Sequence, residues 1–100
     1  MNEHVKMKKK KPSEEELDEL KVKEWGTWTK EVSEFPWSYG DTETCYILEG
    51  QVEVEDPETG EKIEFGKGDL VQFQKGLECK WKVKKPVRKH YTFDLEFDKV

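Results

Sequence analysis

Through residues 25–93 the chain is a succession of short β-branched and aromatic runs, each closed by a Gly, Pro or Asp turn. This punctuation limits the fold more than any other feature. Many short strands at regular spacing, with turn residues between them, indicate an all-β barrel or sandwich. The expected strands are 26–32, 33–37, 43–48, 51–55, 62–65, 70–73, 77–84 and 87–93, with Pro36 marking an edge or bend. The turns fall at Gly40-Asp41, Glu49-Gly50, the hairpin loop 56–60, residues 66–69, Lys75-Gly76 and Pro86. Residues 94–100 are charged, with Leu95 and Phe97 alternating as a further edge strand.

Ahead of the strands lies one helix signal. Ser13 can cap, and Glu16 three residues later completes a capping box. Glu14, Glu15 and Glu16 suit the positive end of the helix dipole. Leu17 and Leu20 make only a narrow apolar stripe, so the helix is short and lies on the outside of something larger. Residues 1–12, with Lys8-Lys9-Lys10-Lys11, lack apolar periodicity and are expected to be a flexible basic tail. Residues 13–100 are then one domain, since 100 residues build a single modest core and not two.

Charge excludes several function classes. The net charge of −5 gives no general attraction to nucleic acid or an anionic membrane. No stretch approaches the length of a membrane span, and the N-terminus lacks the apolar run of a secretory signal. Two cysteines make no disulfide framework, so the expectation is a reduced, cytoplasmic protein, monomer or homodimer.

Side chains of a strand alternate between faces, so one residue assigns its neighbours two away. In 77–84 the lysines and Glu78 share one face, which puts Cys79, Trp81 and Val83 inside. In 87–93 the apolar face holds Val87, Tyr91 and Phe93, and Lys89 goes inward with them, while His90 points out. In 43–48 alternation alone leaves the choice open between Glu43, Cys45, Ile47 and Thr44, Tyr46, Leu48.

Two segments carry a resemblance. Glu43-Thr44-Cys45-Tyr46-Ile47-Leu48-Glu49-Gly50 is a strand ending in a glycine turn, and Gly68-Asp69, a strand, Lys75-Gly76 and Cys79 follow. Together they resemble the two signature motifs of the cupin superfamily, a Glu followed by six residues and a Gly, and then Gly-Asp, a strand and a Gly turn. With Trp28, Trp37, Trp81 and Val87-Arg88-Lys89-His90-Tyr91 added, the chain is similar to the short single-domain cupins grouped with the cupin domain of (S)-ureidoglycine aminohydrolase. The resemblance implies a small jelly-roll barrel with the short helix packed outside. It also implies that Glu43 points into the barrel, carrying Cys45 and Ile47 inward.

The same resemblance argues against the usual chemistry. Metal-dependent cupins place two histidines just upstream of the glutamate and a third in the second motif. Here those positions hold Pro36, Trp37, Ser38, Tyr39 and Cys79. A Mn, Fe or Zn site needs about three or four protein donors, which Glu43 and Cys79 do not supply, so no metal and no other cofactor is expected. An inward carboxylate in an apolar barrel is costly unless paired, and Lys89 is the obvious partner. The expected site is a pocket for a small molecule lined by Trp37, Tyr39, Glu43, Phe73, Cys79, Trp81, Lys89 and Tyr91. Other readings stay open: an aminohydrolase- or isomerase-like enzyme using Glu43 and Lys89, or a scaffold whose ion pair is only structural. Cys79 beside a lysine would be a reactive thiol; the competing reading is a small core residue.

Overall fold

Two long bent strands organise the molecule. The computed structural model describes residues 6–95. In chain order its elements are β1 (Met7–Lys10), α1 (Glu14–Leu20), a single 3-10 turn (Val22–Glu24), β2 (Gly26–Lys30), β3 (Ser33–Ser38), β4 (Glu43–Glu55), β5 (Lys62–Gly66), β6 (Leu70–Phe73) and β7 (Glu78–Phe93). All pairings are antiparallel among the described residues. β4 and β7 pair along most of their length. The first half of β4 and the second half of β7 continue outward to β6, β1 and β2. The other halves continue to β5 and β3. Two half-sheets therefore share their central strands, and the core lies between them.

The sharing explains two corrections. Residues 43–48 and 51–55 were expected as separate strands, as were 77–84 and 87–93; each couple is one continuous strand. What reads as a turn at Glu49-Gly50 is a run of register shifts between Ile47 and Val52 against β7. Bulges of this kind bend a strand and change which parity faces in. That is why Ile47 and Val52, five apart, both lie in the core with no exposure. Gly50 sits at φ 109°, and a Cβ there would come within 2.6 Å of the Pro86 carbonyl oxygen. Only glycine allows this conformation and this approach of β4 to β7 at low cost.

The expected basic tail also needs correcting. Met7–Lys10 form β1, in register with β6 from Met7 opposite Phe73 to Lys10 opposite Leu70. Pairing satisfies the backbone of the β6 edge, and lysines are well suited to the outermost strand. Met7 packs on the core, Lys9 donates to the Glu64 carbonyl at 2.8 Å, and Lys11 pairs with Asp69 at 3.2 Å. Residues 1–5 lie outside the described residues, as do 96–100, so the edge strand expected around Phe97 has no counterpart to compare. At the last described residues, Asp94 adopts φ 58° and donates its N–H to the Thr42 carbonyl.

The helix starts as expected. The Glu16 N–H donates to the Ser13 hydroxyl, and the Glu16 carboxylate accepts from the Ser13 N–H. No residue of α1 is fully buried, in keeping with its narrow stripe. Among the described residues no helix is long and apolar enough to cross a membrane.

A cavity floored by an ion pair

Lys89 is the polar oddity of β7 and the centre of the site. It lies inward with Val87, 5% exposed. Glu43 opens β4 with Cys45 and Ile47 on the same inward face, and is 8% exposed. Because β4 and β7 are paired, the two side chains meet: Lys89 Nζ donates to Glu43 Oε2 at 3.0 Å. Cys45 completes a triangle, its thiol donating to the same Oε2 at 3.1 Å while its sulfur lies 3.3 Å from Nζ. Trp28 stands opposite Lys89 in the β2–β7 register, and Trp81 precedes it on β7. The ammonium lies 4.8 Å and 4.7 Å from their ring centres. Cation–π attraction at a desolvated site is worth about 2 kcal/mol, so the rings help offset the cost of burying the charge.

Burial pulls the Lys89 pKa down, but Cys45 and Glu43 beside it outweigh that, and the net direction is upward. The Cys45 thiol is pushed up to about 12, chiefly by burial and against the pull of Lys89. It is therefore a neutral thiol at neutral pH, and the charged partner of Lys89 there is the Glu43 carboxylate. Glu43 spends only one oxygen on these contacts. Among the described residues Oε1 receives no hydrogen bond, and no enclosed side-chain oxygen or nitrogen is left without a partner. Oε1 must then open into the adjacent space.

That space is a cavity of about 210 Å³ lined by Trp28, Phe35, Trp37, Tyr39, Glu43, Trp81, Lys89, Tyr91 and Phe93. Of the residues named from sequence, Trp37, Tyr39, Glu43, Trp81, Lys89 and Tyr91 come together here. Phe73 and Cys79 do not reach the lining. Phe73 stacks behind Tyr39 at 4.9 Å between ring centres, and Cys79 Sγ lies 3.6 Å from the Trp37 carbonyl oxygen. Burial, then the nearby Asp56, pushes the Cys79 thiol up to about 11, the reverse of what a reactive thiolate requires. The thiol touching Lys89 is Cys45, and both cysteines are free and buried. Tyr39 is held well above the ordinary phenol range by burial first, although Trp81 Nε1 donates to its hydroxyl at 3.1 Å.

Trp28, Phe35 and Phe93 were missed. Phe93 carried a signal, since it shares a face with Lys89. Trp28 and Phe35 did not, because an aromatic of a cavity wall has the same alternation as one in a core. Phe35 lies over Trp81, its register partner, with the rings stacked at 6.0 Å and 17°. His90 points outward as expected, its Nδ1 3.1 Å from the Thr27 hydroxyl. His4 lies outside the described residues.

The architecture and the inward motif glutamate define a small all-β domain of the cupin class. A match to the EutQ-like cupin domain family spans residues 17–91, and the chain belongs to that family. Its fold also matches a crystal structure of a DUF861 family protein from Thermotoga maritima, at 58% identity and a TM-score of 0.85, over 88% of this chain and 99% of that one. The ethanolamine utilization protein Q of Salmonella typhimurium matches at 27% identity and a TM-score of 0.60, covering 66% of this chain and 52% of that one. A DUF861 family protein from Pseudomonas syringae matches at 30% identity and 0.60, over 66% and 28%. The chain thus spans about half the length of the EutQ structure and less of the Pseudomonas one. No curated protein matches.

Cupins often hold a metal on the motif glutamate and three histidines, and these residues do not fit one. Glu43, the motif glutamate, is bonded to an ammonium, and Cys45 beside it is held protonated. Among the described residues no three His, Cys, Asp or Glu side chains gather around a possible ion site. A metal would have to displace the Lys89 charge and find donors that the described residues do not gather there.

Proposed function

We propose that this chain is a metal-independent cupin that takes a small molecule into the cavity above Glu43 and Lys89. The observation that supports it is Glu43 Oε1, a charged acceptor with no protein partner, set at the floor of an aromatic-walled cavity. A sealed structural ion pair would need protein partners for both carboxylate oxygens, whereas Oε1 turned to a cavity keeps a charged acceptor for a guest. The cavity is smaller than the roughly 300–1,000 Å³ of sites for drug-sized ligands, which restricts the guest to a small compound.

The test is a fragment screen by 1H–15N NMR. Saturable shifts at the indole N–H signals of Trp28, Trp37 and Trp81 are expected, weakened in Glu43→Gln. Fragments that shift only signals elsewhere on the surface would overturn the reading. A second reading is catalytic, with Glu43 as acid/base and Lys89 as charge stabiliser. The resemblance to the cupin domain of (S)-ureidoglycine aminohydrolase supports trying small nitrogenous and carbonyl compounds as substrates. Turnover undiminished in Glu43→Gln would end that second reading.

A further inference from the structure

The polar groups of the cavity are few, and their commitments restrict what can enter. Lys89, the cation of the lining, is engaged with Glu43, Cys45 and the faces of Trp28 and Trp81. An anionic guest would have no uncommitted cation to meet and would face the Glu43 carboxylate. A cationic guest on Oε1 would lie beside the ammonium already held on Oε2 of the same carboxylate. Like charges a few ångströms apart in a partly desolvated site repel strongly. A neutral hydrogen-bond donor suffers neither penalty.

The walls restrict the guest further. Phe35 and Trp37 on β3 meet edge to face at 6.4 Å between centres, as do Tyr91 and Phe93 at the end of β7 at 5.8 Å. Trp37 is 47% exposed and Phe93 49%, and both line the same opening. Large apolar rings held in water are normally scattered singly; two of them at one cavity mouth mark a contact surface. Aromatic walls favour a planar guest that can stack or meet them edge on.

We propose that the cavity selects a neutral, planar aromatic or heteroaromatic compound of one or two rings bearing an N–H or O–H donor, which it bonds through Glu43 Oε1. This rests on the small-molecule reading above and names the class of molecule. Anchored there, the ring lies among the β3 and β7 aromatics, and the guest's donor supplies the bond that Oε1 lacks. A site that hydrogen-bonds its guest rejects the analogue without the donor, because its own buried group is then left unpaired.

Indole is a direct probe, with 1-methylindole as its donor-free analogue, benzylamine as a cation and benzoate as an anion. Each is titrated into the full chain and followed by NMR and calorimetry. Indole is expected to bind in the cavity, with 1-methylindole at least about tenfold weaker. Trp37→Ala, at the exposed rim and outside the core cluster, is expected to weaken indole several-fold. Equal binding of indole and 1-methylindole would overturn the Glu43 bond without relying on any variant that must fold. Benzylamine or benzoate binding in the cavity more tightly than indole would overturn the class while leaving the small-molecule reading standing. If none of the four probes shifts a cavity signal and the fragment screen is also silent there, both fall.

Discussion

β7 carries two lysines that make nearly the same ion pair on opposite faces. Lys89 reaches Glu43 at 3.0 Å inside, and Lys84 reaches Glu64 at 2.9 Å outside. The side chains of the inner pair are 6% and 11% exposed, those of the outer pair 34% and 52%. Both lysines have pKa values displaced upward, but for opposite leading reasons. At Lys84 the largest influence is the hydrogen bond to Glu64, which raises it; at Lys89 it is burial, which opposes the charge and is overcome. Distance alone therefore says little about what an ion pair contributes. Water solvates either member of the outer pair when its partner is lost, whereas the inner pair leans on each other, Cys45 and two indole faces, with only Glu43 Oε1 turned to the cavity.

Breaking the inner pair should have the largest effect. Lys89→Met leaves the Glu43 carboxylate without its counter-charge, and Glu43→Gln does the converse to the ammonium. Each is expected to cost on the order of 3 kcal/mol in denaturant unfolding. The double variant should cost clearly less than the sum, because the groups are coupled. Additive, small losses would show that water reaches the inner pair as freely as the outer one.

Alkaline pH sharpens the contrast. Lys89 and Cys45 both have folded pKa values above their ordinary 10.5 and 9.0, so the folded state holds the proton more tightly than the unfolded chain. Their contribution is fully present below the unfolded pKa and is lost as pH rises toward the folded one. For Cys45 the window runs from pH 9.0 to about 12. Within it stability should fall by up to about 1.4 kcal/mol per pH unit from this group. Melting curves of Cys45→Ala should show a shallower alkaline slope; an unchanged slope would remove Cys45 from the account.

A smaller effect is expected at the ring above the ammonium. Trp28→Phe keeps an aromatic face near Lys89 but a weaker one, and should cost about 1 kcal/mol in chemical unfolding. The smallest concerns Lys84→Met. Its melting temperature at moderate salt should be indistinguishable from that of the parent protein. A loss comparable to that of Lys89→Met would erase the distinction between the two faces.

Much of the inner pair was legible beforehand. Alternation in β7 assigned Lys89 to the core from Val87, Tyr91 and Phe93, and the cupin motif assigned Glu43, with Cys45 and Ile47, to the same interior. Two facing charges in a barrel have few places to go except toward each other. The identity of the thiol beside them was not legible, because alternation names a face and not the neighbours across it. Cys45 and Cys79 both point inward, yet only Cys45 lies at the crossing with Lys89.

Local chemistry, written in consecutive residues, determined the capped start of α1, the all-β character and the inward face of β7 with Lys89 on it, and the cupin motif added Glu43. Tertiary structure decided what depends on partners far apart in the chain. Met7–Lys10 became a strand only because β6 offered an unpaired edge some sixty residues on. Glu49-Gly50 and Pro86 became bends within strands because β4 and β7 hold each other through them. Trp28 and Phe35 became cavity walls because their register partners are Lys89 and Trp81. A side chain's face follows from the two-residue period of its own strand, but its neighbours follow from register, which only the assembled sheet supplies.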